Sequence, residues 1–249
     1  MIDLAGKCAL VTGGGQRVGR AIAVALGACG MRVLVHYRSS RLGAEQTVAE
    51  IKELGGEAFC IGADLGERNQ ARKLVDAGLE QWGALDVLVP SAASFERAVY
   101  DHIDDALWDR TLELNLTAPF TLVQHATPAL KAAKGCVVFI TCSSATVPFK
   151  NYLPYVVSKG ALRQLMRVLA LELAPEVRVN AVAPGTVLPP ATMSASAVER
   201  LVSQVPLART GTPEDVANAV VFLARSPYIT GHEIAVDGGR SIVKTERFG

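Results

Sequence analysis

Tyr155 and Lys159 are the pair of residues whose spacing most directly suggests chemistry. They stand four positions apart in the run 155–159, so a helix would carry both side chains on one face. A phenol ordinarily titrates near pH ~10, which is too high for proton transfer at neutral pH, and a nearby ammonium group lowers that pKa by favouring the phenolate. The spacing therefore predicts that Tyr155 donates a proton to a carbonyl oxygen as a hydride arrives, with Lys159 adjusting its pKa.

A glycine-rich run at residues 12–19, Thr-Gly-Gly-Gly-Gln-Arg-Val-Gly, predicts a nucleotide-binding turn. It follows a short apolar run and opens an amphipathic segment, which is the order strand, turn, helix. Glycines let the backbone approach a ligand closely, and the free N–H groups at a helix start attract phosphate. We expect Gly13, Gly15, Val18 and Gly19 to contact the cofactor.

The charges after this turn indicate which cofactor it binds. A site for NAD usually carries Asp or Glu about 20 residues beyond the turn, and this chain has no acidic residue between Asp3 and Glu45. Arg38 and Ser39 stand there instead. A guanidinium group beside a hydroxyl suits the 2′-phosphate of NADPH, and Arg17 would reach it from the turn. The sequence therefore predicts NADPH over NADH; the alternative is that these arginines are solvated surface charges.

The elements that must position these groups alternate along the whole chain. Short β-branched runs predict seven strands, at residues 8–12, 32–37, 58–61, 87–89, 136–141, 178–182 and 233–236. Helical patterns lie between them, at residues 19–29, 43–54, 67–81, 106–131, 155–173 and 213–224. Such alternation predicts an α/β fold: one doubly wound Rossmann-type domain over residues 1–249, with a seven-stranded parallel sheet and helices on both faces.

Residues 186–208 interrupt this alternation. The run 184–190 contains three prolines and a glycine, which is incompatible with regular structure. Ligands of open α/β sheets bind beyond the carboxyl ends of the strands. We therefore expect a substrate lid at about 186–208, and the alternative is an ordinary surface loop.

Composition excludes several classes of partner. The formal net charge of +1 provides no electrostatic attraction to nucleic acid or an anionic membrane. No apolar run approaches the roughly 18 residues of a membrane span. The five cysteines are odd in number and lie mostly in apolar runs, which predicts free thiols in a reducing compartment and a cytoplasmic protein. Neither the cysteines nor the four histidines have ligand spacing, so we predict no metal.

Further motifs follow one another in a characteristic order. They are Asp64-Leu65, Asn115 within residues 113–116, the run 180–185, and the late runs 229–231 and 236–239. Together with the glycine-rich turn and the Tyr155/Lys159 pair, they resemble the single-domain branch of the short-chain dehydrogenase/reductase family. The resemblance covers essentially the whole chain.

This resemblance implies roles for particular residues. Tyr155 is the proton donor, Lys159 also binds the nicotinamide ribose, and Asn115 anchors a water molecule in a proton relay. Pro119 lacks an N–H and so leaves the Asn115 carbonyl free for that water. The family also forms homodimers or homotetramers through its two long central helices. Further implied cofactor contacts are Asp64, Leu65, Ala92, Pro184 and Val187.

Asp64 has an alternative interpretation. As a contact of the cofactor, it would accept a hydrogen bond from the adenine amino group. It would equally suit the N-terminal cap of the helix that follows.

The chain departs from the family pattern at two places. After the fourth strand it reads Pro-Ser-Ala-Ala at 90–93, where the family commonly has Asn-Asn-Ala-Gly, so the rigidity of this turn is left open. The family's substrate-orienting serine stands thirteen residues before the tyrosine, and that position is Cys142, whose thiol is a weak donor. We expect Cys142 to be buried and Ser143 to orient the substrate. Cys142, Ser143, Tyr152 and Phe95 are the predicted substrate contacts.

The predicted function is reduction of a carbonyl group, in a ketone or a 3-oxoacyl thioester, by NADPH. An alternative is pteridine (dihydropterin) reduction, because residues 12–20, 36–39 and 94–95 also resemble pteridine reductases. That branch tends to carry an aspartate where this chain has Cys142. A third alternative is a nucleotide-sensing protein without efficient catalysis, which the altered turn at 90–93 and Cys142 would favour.

Overall fold

Seven parallel strands form one sheet in the computed structural model, which describes residues 1–189 and 193–243. The strand order is β3-β2-β1-β4-β5-β6-β7, and every neighbouring pair is parallel. The strands are β1 Cys8–Val11, β2 Arg32–Tyr37, β3 Glu57–Gly62, β4 Val87–Val89, β5 Cys136–Ile140, β6 Arg178–Pro184 and β7 Glu233–Val236. The predicted fold class is confirmed, and all seven predicted strands are present.

Helices cover both faces of this sheet. They are α1 Arg17–Ala28, α2 Arg41–Glu53, α3 Arg68–Trp82, α4 Asp105–Leu112, α5 Ala118–Ala133, α6 Leu153–Glu172, α7 Ala195–Val202 and α8 Pro213–Arg225. None of these helices, within the residues described, is long and apolar enough to cross a membrane.

The core consists of two apolar layers, one on each face of the sheet. Successive strand residues alternate between them, as the two-residue period of a strand requires. In β1, Ala9 and Val11 belong to the layer beneath α1 and α8, whereas Leu10 belongs to the layer beneath α3, α5 and α6. In β5, Val138 and Phe139 divide in the same way.

The long helix expected at 106–131 is interrupted in the structure. A turn of π-helix, Glu113–Thr117, joins α4 to α5, and the N–H of Ala118 bonds to the carbonyl of Glu113, five residues earlier. Pro119 has no N–H with which to continue the ordinary pattern, so the helix accommodates an extra residue. Asn115 lies in this turn.

Helix α6 begins two residues earlier than expected. Its first turn contains Pro154, a favoured residue there because its missing N–H would be unbonded in any case. Tyr155 therefore lies in the first turn of α6, near the carboxyl edge of the sheet, rather than being its first residue.

The segment expected to form a lid contains helix α7, which follows the cap residue Ser194 and buries none of its side chains. Residues 190–192 of this segment lie outside the described part of the chain. Its role as a lid stays a prediction.

Candidate active site

The glycine-rich turn lies between β1 and α1, where the strand order reverses from β2 to β4. Gly13 has a φ of 66°, and a β-carbon there would stand 3.0 Å from the Cα of Ala92. At Gly19 a β-carbon would overlap the carbonyl oxygen of Gly13. Glycine is therefore required at both positions, at Gly13 for the backbone conformation and at Gly19 for the packing of α1 against the turn.

Thr12 stabilises the turn after β4. Its hydroxyl oxygen accepts hydrogen bonds from the backbone N–H groups of Ser91 and Ala92, each at 3.0 Å. The unusual sequence at 90–93 is thus held by the last residue before the glycines. This arrangement answers the question of rigidity that the sequence left open.

His36 also holds the glycine-rich turn, a role that the sequence analysis did not assign. Its ring is buried, with 2 % exposed; Nδ1 accepts from the N–H of Gly13 at 3.2 Å, and Nε2 donates to the carbonyl of Ala63 at 3.0 Å. These two partners require a neutral ring, and burial lowers the pKa of His36 accordingly. A histidine at the end of an otherwise apolar strand was the available signal.

The residues predicted to bind a 2′-phosphate are divided by the structure. Arg38 and Ser39 are exposed at the end of β2, and Arg38 makes no ion pair within the described ranges. Arg17 has a φ of 51° and donates to the carbonyl of Leu188 at 2.8 Å. Arg38 and Ser39 therefore stand side by side at the end of β2, where the sequence places the 2′-phosphate. The guanidinium of Arg17 is instead hydrogen-bonded to the segment that follows β6.

Asp64 does not cap the helix that follows it. Its carboxylate accepts from the N–H of Gly66 at 2.9 Å, and Glu67 stands at the start of α3. The side chain of Asp64 is exposed, so its predicted contact with adenine stays open.

The remaining predicted cofactor residues surround the same edge of the sheet. Leu65 packs its side chain into the core, which leaves its backbone for a ligand. Pro184 ends β6, and Val187 bridges to Gly211.

Tyr155 is partly buried, and removal of its hydroxyl from water raises its pKa well above the ordinary value of a phenol, with a further rise from the neighbouring Cys142 thiol. Lys159 does not set the direction of this pKa: its ammonium lies 5.7 Å from the centre of the Tyr155 ring, and desolvation disfavours the phenolate. Tyr155 therefore keeps its proton at neutral pH, as a proton donor must. The lowering of the Tyr155 pKa by Lys159 during the reaction stays a prediction.

Lys159 is the most deeply buried cation beside Tyr155. It is 3 % exposed, and its Nζ donates to the carbonyl of Ile140 at 2.8 Å. Burial lowers its pKa to about 8, so Lys159 is still protonated in most molecules at pH 7. An ammonium group has three donors, and this bond uses one of them.

Asn115 uses its side chain to hold other protein groups. Its Nδ2 donates to the carbonyl of Ser94 at 3.0 Å and to the hydroxyl of Ser158 at 3.1 Å, and its Oδ1 accepts from the N–H of Ser94 at 2.8 Å. The amide thus ties the segment after β4 to helix α6. Any part in a proton relay falls to its backbone carbonyl, which Pro119 cannot bond.

Cys142 neighbours Tyr155, and it is half-buried rather than buried as expected. Cys142 keeps an extended conformation (φ −162°, ψ 147°), and its sulfur accepts from the N–H of Ser144 at 3.4 Å. The chain enters a tight 3-10 turn only at Ser143. The extended backbone carries Cys142 onward from β5 before the chain turns, and the expected role of Ser143 in orienting the substrate stays a prediction.

Aromatic rings form a wall beside Tyr155. Phe95 meets Tyr155 edge-to-face at 4.7 Å between ring centres and stacks on Tyr152 at 4.3 Å. Phe149 contacts both Phe95 and Tyr152. Phe95 is half exposed, at 52 %. Two of the four predicted substrate contacts, Phe95 and Tyr152, thus lie together beside the predicted proton donor.

Comparison with known proteins agrees with this geometry. A family model described as enoyl-(acyl carrier protein) reductase matches residues 15–241. The 3-oxoacyl-[acyl-carrier-protein] reductase FabG of Staphylococcus aureus is 36 % identical over 239 residues, which cover 94 % of this chain and 97 % of that protein.

Solved structures match over nearly the full length. A variant of a short-chain dehydrogenase/reductase from Serratia marcescens has a TM-score of 0.91 at 30 % identity, covering 96 % of this chain and 100 % of the other. A blue fluorescent protein from a metagenomic library, solved in complex with NADPH, has a TM-score of 0.89 at 33 % identity, covering 96 % and 99 %.

Proposed function

The chain belongs to the short-chain dehydrogenase/reductase family of oxidoreductases, and we propose that it reduces the carbonyl group of a ketone or 3-oxoacyl thioester with NADPH. One observation carries this proposal. The phenol of Tyr155 lies beside the buried cation Lys159, 5.7 Å from ring centre to Nζ, at the carboxyl edge of a sheet whose glycine-rich turn suits a dinucleotide.

The residues of the site suit this cofactor. Gly13 and Gly19 leave space that a β-carbon would fill, and the N-terminus of α1 favours a phosphate. Lys159 would hold the ribose of the nicotinamide with its remaining donors. Arg38 and Ser39 would hold the 2′-phosphate. The similarity to the blue fluorescent protein in complex with NADPH supports NADPH as the cofactor. When bound, the nicotinamide supplies the hydride.

Tyr155 then donates the proton, and Lys159 stabilises the phenolate that remains. The substrate carbonyl oxygen accepts the hydrogen bond of the Tyr155 hydroxyl, and it takes that proton as negative charge develops on it. The charge left on the phenolate is stabilised by the ammonium of Lys159, which the carbonyl of Ile140 holds in place. Because Lys159 is buried, its attraction for the phenolate is stronger than it would be in water.

The aromatic wall narrows the class of substrate. Phe95, Phe149 and Tyr152 present apolar ring surface to whatever reaches Tyr155. This surface favours a carbonyl flanked by an apolar or aromatic group over one in a small hydrophilic molecule. The similarity to 3-oxoacyl-[acyl-carrier-protein] reductase supports an acyl chain as that group.

Dihydropterin reduction is the second candidate. The exposed ring of Phe95 beside Tyr155 favours it, because a planar bicyclic substrate would stack there. Cys142 counts against it, since no carboxyl group stands at that position to protonate a pterin ring.

The test is a turnover assay with NADPH and a panel of diketones, 3-oxoacyl thioesters and dihydropterins. We expect Tyr155→Phe to lower kcat by at least about 100-fold, the lower range for loss of a general acid, with NADPH affinity within twofold of the wild type. Tyr100→Phe is the control, because Tyr100 is 75 % exposed. Tight NADPH binding without turnover of any substrate would instead support a nucleotide sensor.

A further inference from the structure

Arg163 and Glu233 form an ion pair behind the loop that carries Cys142. The Nε of Arg163 lies 2.8 Å from the carboxylate of Glu233. Arg163 belongs to α6, one turn beyond Lys159, and Glu233 is the first residue of β7. Among the residues that the structure describes, neither side chain has a hydrogen bond or ion pair to the glycine-rich turn or the aromatic wall, and the proposed reaction gives them no role.

Each member of the pair also bonds one end of the loop. The hydroxyl of Thr141, immediately before Cys142, donates to Glu233 Oε1 at 2.6 Å. The guanidinium of Arg163 donates to the hydroxyl of Thr146 at 3.2 Å. Residues 142–145 are thus held at both ends by two charged side chains that bond to each other.

The burial of this pair makes it more than a surface contact. The side chain of Glu233 is only 10 % exposed, that of Arg163 is 40 % exposed, and Thr141 is 2 % exposed. Hydrogen bonds to charged groups are stronger than those between neutral groups. Removing Arg163 would leave the Glu233 carboxylate largely buried without its cation, which is costly.

The same helix therefore carries Tyr155, Lys159 and the group that holds the loop opposite them. Lys159 bonds to the carbonyl of Ile140, two residues before Cys142, and Arg163 acts on Thr146, four residues after Cys142. We propose that the Arg163–Glu233 pair is a positioning device, which sets the distance of Cys142 from Tyr155 by fixing residues 141–146 on helix α6.

The activity arm of the test rests on the proposed function. Arg163→Ala is expected to lower kcat by about tenfold, since small displacements of a substrate-orienting group slow chemistry strongly. The KM for NADPH should stay within twofold of the wild type. Arg163→Lys, which retains the charge but not the planar fork, should recover part of kcat. Arg167→Ala is the control, because Arg167 lies one turn further on the exposed face of α6.

A second arm does not depend on turnover. Iodoacetamide alkylation of Cys142, followed by mass spectrometry of its peptide, reports how the loop is held. We expect Arg163→Ala to raise its rate by about fivefold or more through local opening, with Cys29 and Cys60 unchanged as internal references. Glu233→Gln should act in the same direction, and the double variant should be less than additive.

The two arms separate the two proposals. If the wild type turns over no substrate while Arg163→Ala still accelerates alkylation, the proposed function fails and the positioning device stands. If alkylation of Cys142 in Arg163→Ala and Glu233→Gln matches the wild type and Arg167→Ala, the positioning device is wrong. If Arg163→Ala does not fold, Arg163→Lys and Glu233→Gln carry the same test.

Discussion

The two ends of the site are built in different ways. At the cofactor end, buried polar groups hold the backbone: Thr12 bonds to the turn after β4, and His36 joins Gly13 to Ala63. At the substrate end, exposed or half-exposed side chains on loops make the surface, as Phe95 shows. The contrast indicates that buried polar groups fix the backbone of the cofactor end, whereas substrate choice depends on a few loop side chains. Those side chains can change without disturbing the core.

Lys159 joins the two ends, so its replacement should have the largest effect. We expect Lys159→Met to lower kcat by at least about 100-fold and to make the protein more stable at pH 7. The shift of its pKa from 10.5 to about 8 corresponds to about 3 kcal/mol, which is an upper value because the variant also loses the bond to Ile140.

The pH dependence of this effect has a definite sign. Between pH 8 and 10.5 the unfolded chain binds a proton that folded Lys159 has released, so wild-type stability rises with pH across this window. Denaturant unfolding at several pH values should show the advantage of Lys159→Met shrinking between pH 8 and 10.5. Lys150→Met, at an exposed position, should show no such trend. If the difference in unfolding free energy between Lys159→Met and the wild type did not change with pH, the lowered pKa of Lys159 would be contradicted.

Gly19→Ala tests the cofactor end alone. Its β-carbon would overlap the carbonyl of Gly13, so we expect a loss of about 1 to 3 kcal/mol in the free energy of unfolding. NADPH binding, measured by calorimetry, should weaken by at least about tenfold, because the phosphate-binding turn must shift.

Gly160→Ala is the matched control for this change. It lies in α6, where nothing stands within 4 Å of an added β-carbon. Alanine should stabilise the helix there by about 0.5 to 1 kcal/mol. Equal losses of stability and NADPH affinity in the two variants would show that the tight packing of the turn is not the cause of the losses in Gly19→Ala.

Arg38→Ala tests which cofactor this end selects. A hydrogen bond to a charged group contributes about 1.5 to 3 kcal/mol, so NADPH affinity should fall by about tenfold or more while NADH affinity stays within twofold. Arg41→Ala is the control, because Arg41 already pairs with Glu45 at 2.8 Å. If the wild type bound NADH as tightly as NADPH, the proposed 2′-phosphate site at Arg38 and Ser39 would be wrong.

The smallest effect is expected at the substrate end. Because a hydroxyl is a better donor than a thiol, Cys142→Ser should raise kcat/KM by about threefold, whereas Cys142→Ala should lower it and Ser143→Ala should leave it within twofold. Steady-state kinetics on the best substrate of the panel measures all three. A larger loss in Ser143→Ala than in Cys142→Ala would restore Ser143 as the orienting residue.

Several features of the site follow from local pattern alone. The glycine-rich turn, the arginine and serine after β2, and the Tyr155/Lys159 spacing are all short-range signals. Pro119 was a further local signal, but the helix was expected to run unbroken over 106–131 and the structure interrupts it at Glu113–Thr117. The partner of Arg17 and the pair Arg163–Glu233 could not be predicted in the same way. Their members lie 171 and 70 positions apart, and no local pattern links them.

Sequence by itself determined the parallel sheet, its helices and the residues that could transfer a proton, because hydrophobic period and helix spacing are properties of neighbouring residues. Tertiary structure decided the state of those residues. Whether Tyr155 holds its proton depends on how completely the folded chain excludes water from it, and whether Cys142 or Ser143 faces it depends on where the chain turns after β5. Burial and orientation are set by contacts between distant segments, and so only the folded chain has them.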